Sequence, residues 1–329
     1  MVSIKISEYQ SGQRLNKFLQ KYLDLAPTSF IYKMLRKKNI VLNDKKAQGD
    51  EILYVGDTIV MYLADDTISK FRSMTKENEK VTVDIEKETI EKLSILYEDS
   101  DILVVHKPVG VLSQKASAKD YSINEQIVDY CKSNGILKKD YTNTFRPSVC
   151  NRLDRNTSGI IVAGITLKGS QNLTRILKLR VCDKYYYTIV CGHYNKELHQ
   201  IAYIGKNHDK NLSEVSAEEK PGYKKIETEF EVIDQTNGFS LLQVKLITGK
   251  SHQIRAHLAY LGFPIVGDPR YGKRDVNRMF NNRFGLQNQL LHAGKLVLHR
   301  DDFFSDLIIC DPLPEKFDCI CTELGLKKS

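Results

Sequence analysis

No apolar run in this 329-residue sequence approaches the roughly 18 residues that cross a bilayer, and the opening MVSIKISEYQSGQRLNKF holds no apolar core of signal-peptide length. Neither a membrane protein nor a secreted one is expected, and the cytosol is the expected location. CxxC pairs are also absent. The seven cysteines (Cys131, Cys150, Cys182, Cys191, Cys310, Cys319 and Cys321) are odd in number and sit mostly among apolar neighbours, as reduced structural thiols do. Cys319 and Cys321 have no His or second Cys pair at zinc spacing, and read as part of a buried edge. The eight histidines form no HExxH, and His252 and His257, five apart, share a helix face poorly. There is no GxSxG, and TGKSH at 248–252 fails as a phosphate-binding loop because Val244 stands where that pattern needs Gly. Metal catalysis, Ser or Cys hydrolysis and nucleotide triphosphate chemistry therefore find no support, and neither metal nor cofactor is expected.

Charge is in modest excess, +8, but it is concentrated. Lys33, Arg36, Lys37, Lys38, Lys45 and Lys46 crowd one stretch against the single acid Asp44, and Arg270, Lys273, Arg274, Arg278 and Arg283 crowd another against Asp275. Two such patches on a chain that is 41% hydrophobic, enough for proper cores, suit either solvated faces or a polyanionic partner, most simply nucleic acid.

Residues 13–24 set Leu15, Phe18, Leu19, Tyr22 and Leu23 on one helical stripe, and 28–38 repeat it with Ile31, Met34 and Leu35 behind the N-terminal signal Pro27-Thr28-Ser29. IVLNDKKA reads as a strand into a turn and EILYVGDTIVMYL as strand, Gly-Asp turn, strand, which makes a compact α+β module over 12–64. The charged stretch 65–90 reads as a linker. A second domain over 91–321 opens with the strands LSILYED and DILVVHKP, then a helix with the capping box Ser122 and Glu125 that stops at Asn134-Gly135. A helix over 167–180, the strand KYYYTIVCG, a hairpin about Asn237-Gly238 and the short helix of SHQIRAHLAYLG follow. In that last helix Ile254, Leu258 and Leu261 point inward, and Arg255 lies off the stripe where it can face a cleft. Residues 195–227 are polar and mixed, and read as an excursion from the sheet.

The stretch NRLDRNTSGIIVAG at 151–164 holds a lone carboxylate, Asp154, between Arg152 and Arg155 just ahead of an apolar strand. A surface turn accounts for these residue types when they are taken alone. Four stretches in order, ILYEDSDILVVHKPVGVL, NRLDRNTSGIIV, DKYYYTIVCG and LITGKSHQIRAHLAYLGFPIVGDPRYG, with LLHAGKLVL near 290, together resemble the RluA-type pseudouridine synthases over about residues 91–315. The N-terminal module resembles the S-four-type RNA-binding domain that often precedes this catalytic domain.

The resemblance implies an α+β fold in which a mixed, mainly antiparallel sheet flanked by helices carries a central cleft. It implies isomerisation of specific uridines in structured RNA, most simply large-subunit ribosomal RNA; a monomer without a nucleotide cofactor is expected. Asp154 matches the catalytic aspartate, nucleophile or base. Arg255 matches its ion-pair partner and is expected to be bidentate to it. Tyr186 matches the tyrosine that stacks on uracil and helps remove the proton at carbon 5, while Tyr185 and Tyr187 alternate to the other face. Asn151, where the family has His, joins Arg152, Arg155 and both basic patches, from Lys33 to Lys46 and about Arg270, Lys273 and Arg274, as expected RNA contacts. Two other functions remain open at this point: a synthase of the same fold acting on tRNA, and a non-catalytic ribosomal RNA-binding factor.

Overall fold

The computed structural model describes residues 1–7, 10–72, 93–117, 119–137, 145–207, 212–236, 238–299 and 305–327. The first unit is built from β1 (Val2–Lys5), α1 (Leu15–Tyr22), α2 (Thr28–Arg36), β2 (Ile40–Leu42), β3 (Lys45–Lys46), β4 (Thr58–Met61) and α3 (Asp65–Phe71). Its four strands form an antiparallel sheet in the order β1-β4-β2-β3. The two helical stripes are what it buries: Leu15, Phe18, Leu19, Tyr22 and Leu23 meet Ile31, Met34 and Leu35 over the sheet. Asn43 and Asp44 both take positive φ, 49° and 59°, the two-residue turn that a tight hairpin requires.

Three boundaries differ from the sequence reading. The module begins before residue 12, because β1 pairs along β4. Residues 51–55 do not form a strand; Leu53 N–H donates to Gln13 O at 2.9 Å and Leu53 O accepts from Gly12 N–H at 2.8 Å, which ties this stretch to a loop. The expected linker starts as α3, which buries Ile68 and packs Phe71 on Phe30 at 4.5 Å. One apolar turn is too short a pattern to stand out from the charges around it. The remaining linker, 73–90, lies outside the described residues, as does Asn237 of the hairpin.

The second unit runs through β5 (Ile95–Glu98), β6 (Ile102–Lys107), α4 (Ile123–Ser133), β7 (Ser148–Val149), β8 (Ser158–Gly164), α5 (Leu167–Leu179), β9 (Cys182–Cys191), β10 (His199–Asn207), β11 (Leu212–Ser216), β12 (Lys224–Thr236), β13 (Phe239–Leu246), α6 (Gln253–Tyr260), α7 (Arg274–Phe284), β14 (Leu291–Leu298), β15 (Leu307–Cys310) and α8 (Glu315–Leu324). The strand order is β11-β10-β12-β13-β9-β14-β8-β6-β5, with β15 on β14 and β7 on β8. Every pairing is antiparallel except β14 with β8. This is the mixed, mainly antiparallel α+β architecture that the resemblance implied. The polar stretch 195–227 is not an excursion: β10 and β11 extend the sheet, and they read as polar because, among the described side chains of β10, Ala202 and Ile204 alone are buried. α8 runs past 321, burying Cys321 and Leu324 while Cys319 is exposed.

β8 is buried at every position, with Ile161 and Ala163 in one core cluster and Ile160 and Val162 in another, so its unbroken apolar run reflects cover on both faces. Gly159 lets β14 lie against it. Its φ is +122°, and a Cβ there would stand 2.3 Å from the Ala293 carbonyl oxygen.

Candidate active site

Asp154 sits in the loop between β7 and β8, held from several sides. Thr157 N–H donates to its carbonyl at 3.1 Å, and Ser113 Oγ, itself buried, accepts from Leu153 N–H at 3.0 Å and donates to Leu153 O at 2.9 Å. The Arg155 carbonyl accepts from Gly110 N–H at 2.9 Å and from Lys107 Nζ at 3.0 Å. Lys107, the last residue of β6, is fully buried and gives its other two hydrogens to Pro108 O at 2.9 Å and Val111 O at 2.8 Å. Burial pushes its pKa down to about 7, against the opposing pull of Asp154. One ammonium thus ties the exit of β6 to the loop that carries the carboxylate.

Arg255 reaches Asp154 from α6, Nη1 to Oδ2 at 2.8 Å. The bidentate contact is made elsewhere: Nε and Nη2 meet the two oxygens of Asp268 at 2.7 and 3.0 Å. The expected fork onto Asp154 is therefore a single bond, because buried Asp268 has the in-plane side of the guanidinium. Asp268 is fixed in turn by the N–H groups of Arg270 at 2.8 Å and Tyr271 at 3.0 Å. Burial disfavours the charged Arg255, but the bonds and charges of Asp268 and Asp154 more than reverse this and raise its pKa.

Tyr186 comes from β9, opposite Val244 and Ala293. It belongs to the core cluster beneath the cavity, whereas Tyr187 packs in the cluster on the far side and Tyr185 lies under Lys245 and Lys295, as strand alternation requires. Burial, with the Asp154 charge second, raises the Tyr186 phenol, so it stays protonated. Asp154, Tyr186, Arg255, Arg152, Lys184 and His252 are among the residues that line one cavity of about 670 Å³, ample for a nucleoside.

Residues 101–260 match the family model described as RNA pseudouridylate synthase. Ribosomal large subunit pseudouridine synthase C of Escherichia coli is 30% identical over 298 residues, 89% of this chain and 87% of that protein. An uncharacterised RNA pseudouridine synthase of Mycoplasma genitalium is 32% identical over 297 residues, again 89% and 87%. The chain belongs to the RNA pseudouridine synthase family. It is an isomerase whose substrate is RNA. The solved structure of human RNA pseudouridylate synthase domain containing 4, 21% identical, shares the fold with a TM-score of 0.58 over 71% of this chain and 94% of that one.

In this synthase the three residues singled out for chemistry, Asp154, Tyr186 and Arg255, come together at one cavity although 101 positions separate Asp154 from Arg255. Arg152 and Arg155 are exposed on the same loop. Asn151 lines the cavity, but its amide is taken up by β8, donating to Ile160 O at 3.0 Å and accepting from Val162 N at 2.8 Å. Lys33, Arg36, Lys37 and Lys38 are exposed along and after α2, with Lys45 and Lys46 on β3. Arg270 is exposed beside Asp268, and Lys273 and Arg274 open α7. Arg283 at its end is paired with Glu323 at 2.8 Å.

Sequence reasoning missed Asp268 and Lys107. Each left a signal, an ionisable residue set directly after a buried apolar run: Asp268 after Ile265-Val266-Gly267, and Lys107 within ILVVHKPVG.

Proposed function

We propose that this chain converts specific uridines of large-subunit ribosomal RNA to pseudouridine, with Asp154 as nucleophile or base. The bond from N1 to the ribose breaks, the base turns, and carbon 5 bonds to the same ribose carbon. The hydrogen on carbon 5 leaves and N1 gains one. Nothing is oxidised or reduced overall, so the residues at the cavity suffice chemically. The observation that carries this reading is the Asp154 carboxylate held by one N–H of a buried arginine that is itself locked by a second acid. Such a carboxylate is held in one orientation at the wall of the cavity.

Tyr186 offers its ring as a stacking surface. The hydrogen on carbon 5 becomes acidic once that carbon has bonded to the sugar, because its loss restores the conjugation of uracil, and the Tyr186 hydroxyl, protonated at rest, helps to remove it as a relay, its oxygen accepting that hydrogen as its own passes to water. A stacked or paired uridine has to leave its helix to reach this depth, at about a few kcal/mol. Arg152, Arg155, Arg270, Lys273 and Arg274 hold the backbone about the cavity. The N-terminal unit, with Lys33, Arg36, Lys37, Lys38, Lys45 and Lys46, acts as an S-four-type RNA-docking domain. The relative named above as a large-subunit synthase favours ribosomal RNA, and the protein acts as a cytoplasmic monomer. Among the described residues no helix is long and apolar enough to cross a membrane. Mapping pseudouridine in total RNA from a strain without this gene, against its parent, tests the reading. At least one large-subunit position should revert to uridine; retention of every such position, or loss confined to tRNA, would refute it.

A further inference from the structure

His252 lines the cavity next to Asp154, and neither the resemblance nor the proposed reaction gives it a task. Its backbone is left-handed, φ 56° and ψ 19°, which costs a β-carbon-bearing residue about 1 kcal/mol and persists only where the surroundings impose it. The surroundings are specific. Gln253, buried, accepts from Lys250 N–H at 3.1 Å and Thr248 Oγ1 at 2.9 Å, and donates to Thr228 Oγ1 at 2.9 Å. Ser213 on β11 donates its hydroxyl to Ser251 O at 2.9 Å. The peptide that enters α6 is thereby pinned on both sides of His252.

The ring is pinned too. Ser213 N–H donates to the Tyr271 hydroxyl at 2.9 Å, and that hydroxyl lies 3.0 Å from His252 Nδ1, with the two rings edge to face at 5.8 Å. A backbone N–H can only donate, so the phenol oxygen accepts from Ser213 and has its own hydrogen to give to Nδ1. When Nδ1 accepts that hydrogen the imidazole carries its own on Nε2, the side that faces the Asp154 carboxylate, 3.9 Å away. The same Tyr271 ring sits 5.3 Å from the guanidinium carbon of Arg255. Burial keeps the imidazole pKa low, as do Arg255 and Arg270; Asp154 and Asp268 oppose them.

A separation of 3.9 Å is too long for a hydrogen bond and leaves Nε2–H without that acceptor. We propose that His252 is a substrate-contacting residue whose Nε2–H donates to an oxygen of the target nucleotide, and that Tyr271 is the positioning residue that fixes this tautomer. The inference rests on the reading of the cavity as a uridine site. It also gives a purpose to β11, which supplies Ser213 to the network.

The test uses the full chain and ribosomal RNA from the deletion strain, with uridine labelled by tritium at carbon 5 so that label release reports turnover. His252→Asn suits the left-handed backbone and removes the ring. It should lower kcat/KM about tenfold or more, the loss of one aligned hydrogen bond, with little change in melting temperature. Nitrogen NMR of labelled histidine should show the Nε2–H tautomer for His252 in the parent and a tautomer mixture in Tyr271→Phe, which a purely structural tyrosine would not cause. An Nδ1–H tautomer in the parent overturns the proposal even if a variant fails to fold. An active parent with His252→Asn within twofold of it overturns this inference alone, whereas a parent that forms no pseudouridine overturns the reading of the cavity as well.

Discussion

Arg255 divides one guanidinium between two carboxylates, and the division fixes what a substitution there does. Lysine retains the charge but can serve only one acid well. Because Asp268 is fully buried, Arg255→Lys should cost about 1 to 3 kcal/mol of stability as well as most of the turnover, read by urea denaturation beside the activity assay. Unchanged stability with lost activity would mean that Asp268 finds other partners. The helical position of Arg255 alone suggests a small effect on stability; its buried partner, thirteen residues on across a turn, reverses that expectation. Lys107 makes a pH-dependent contribution. Its pKa falls from 10.5 to about 7 on folding, so between those values the unfolded chain holds a proton that the folded chain does not. Its contribution to stability is therefore least below about pH 7 and rises with pH toward 10.5. In urea titrations the parent should gain on Lys107→Met between pH 6.5 and 9.5; a constant difference would contradict the shift.

At the scale of elements, the loop that carries Asp154 is positioned by strands that approach more closely than side chains permit. β8 meets β14 through Gly159, and Gly159→Ala would set a Cβ against the Ala293 backbone while also straining φ. The substitution should cost about 3 kcal/mol or more and lower activity beyond the loss of folded protein, measured by melting and by turnover per folded molecule. An alanine variant as stable as the parent would show that the two strands can part without consequence. Helices α1 and α2 were legible because their apolar stripes match what they bury, and β6, β8 and β9 because buried runs and alternation are strong signals. β10, β11 and α3 were not, since among the described side chains β10 buries two apolar residues, α3 one and β11 none, amid charge. That Asp154, Tyr186 and Arg255 would meet at one cavity was expected from motif order, whereas the buried ions Asp268 and Lys107 became visible only when the loops were brought together.

At the scale of the molecule, the cores are separate among the described residues: the cluster about Phe18 and Ile31 draws on residues up to Phe71, and the other clusters on residues from Leu93 onward. Deleting residues 1–72 should therefore leave a folded catalytic unit that binds ribosomal RNA more weakly. Its salt dependence should also be flatter, by about 0.9 in slope for each phosphate that is no longer neutralised, the figure for duplex DNA serving for RNA. Affinity and slope equal to those of the full chain would assign the basic face of α2 another partner. The central claim, that the carboxylate held by Arg255 performs the isomerisation, is tested most directly by Asp154→Asn, which keeps shape and most hydrogen bonds but removes the charge. Pseudouridine formation and RNA affinity are measured on one preparation. Formation should fall by roughly a thousandfold or more while affinity stays within a few fold or rises slightly, since a negative charge near phosphate has gone. Turnover near the parental rate would reduce Asp154 to a turn residue and contradict the account.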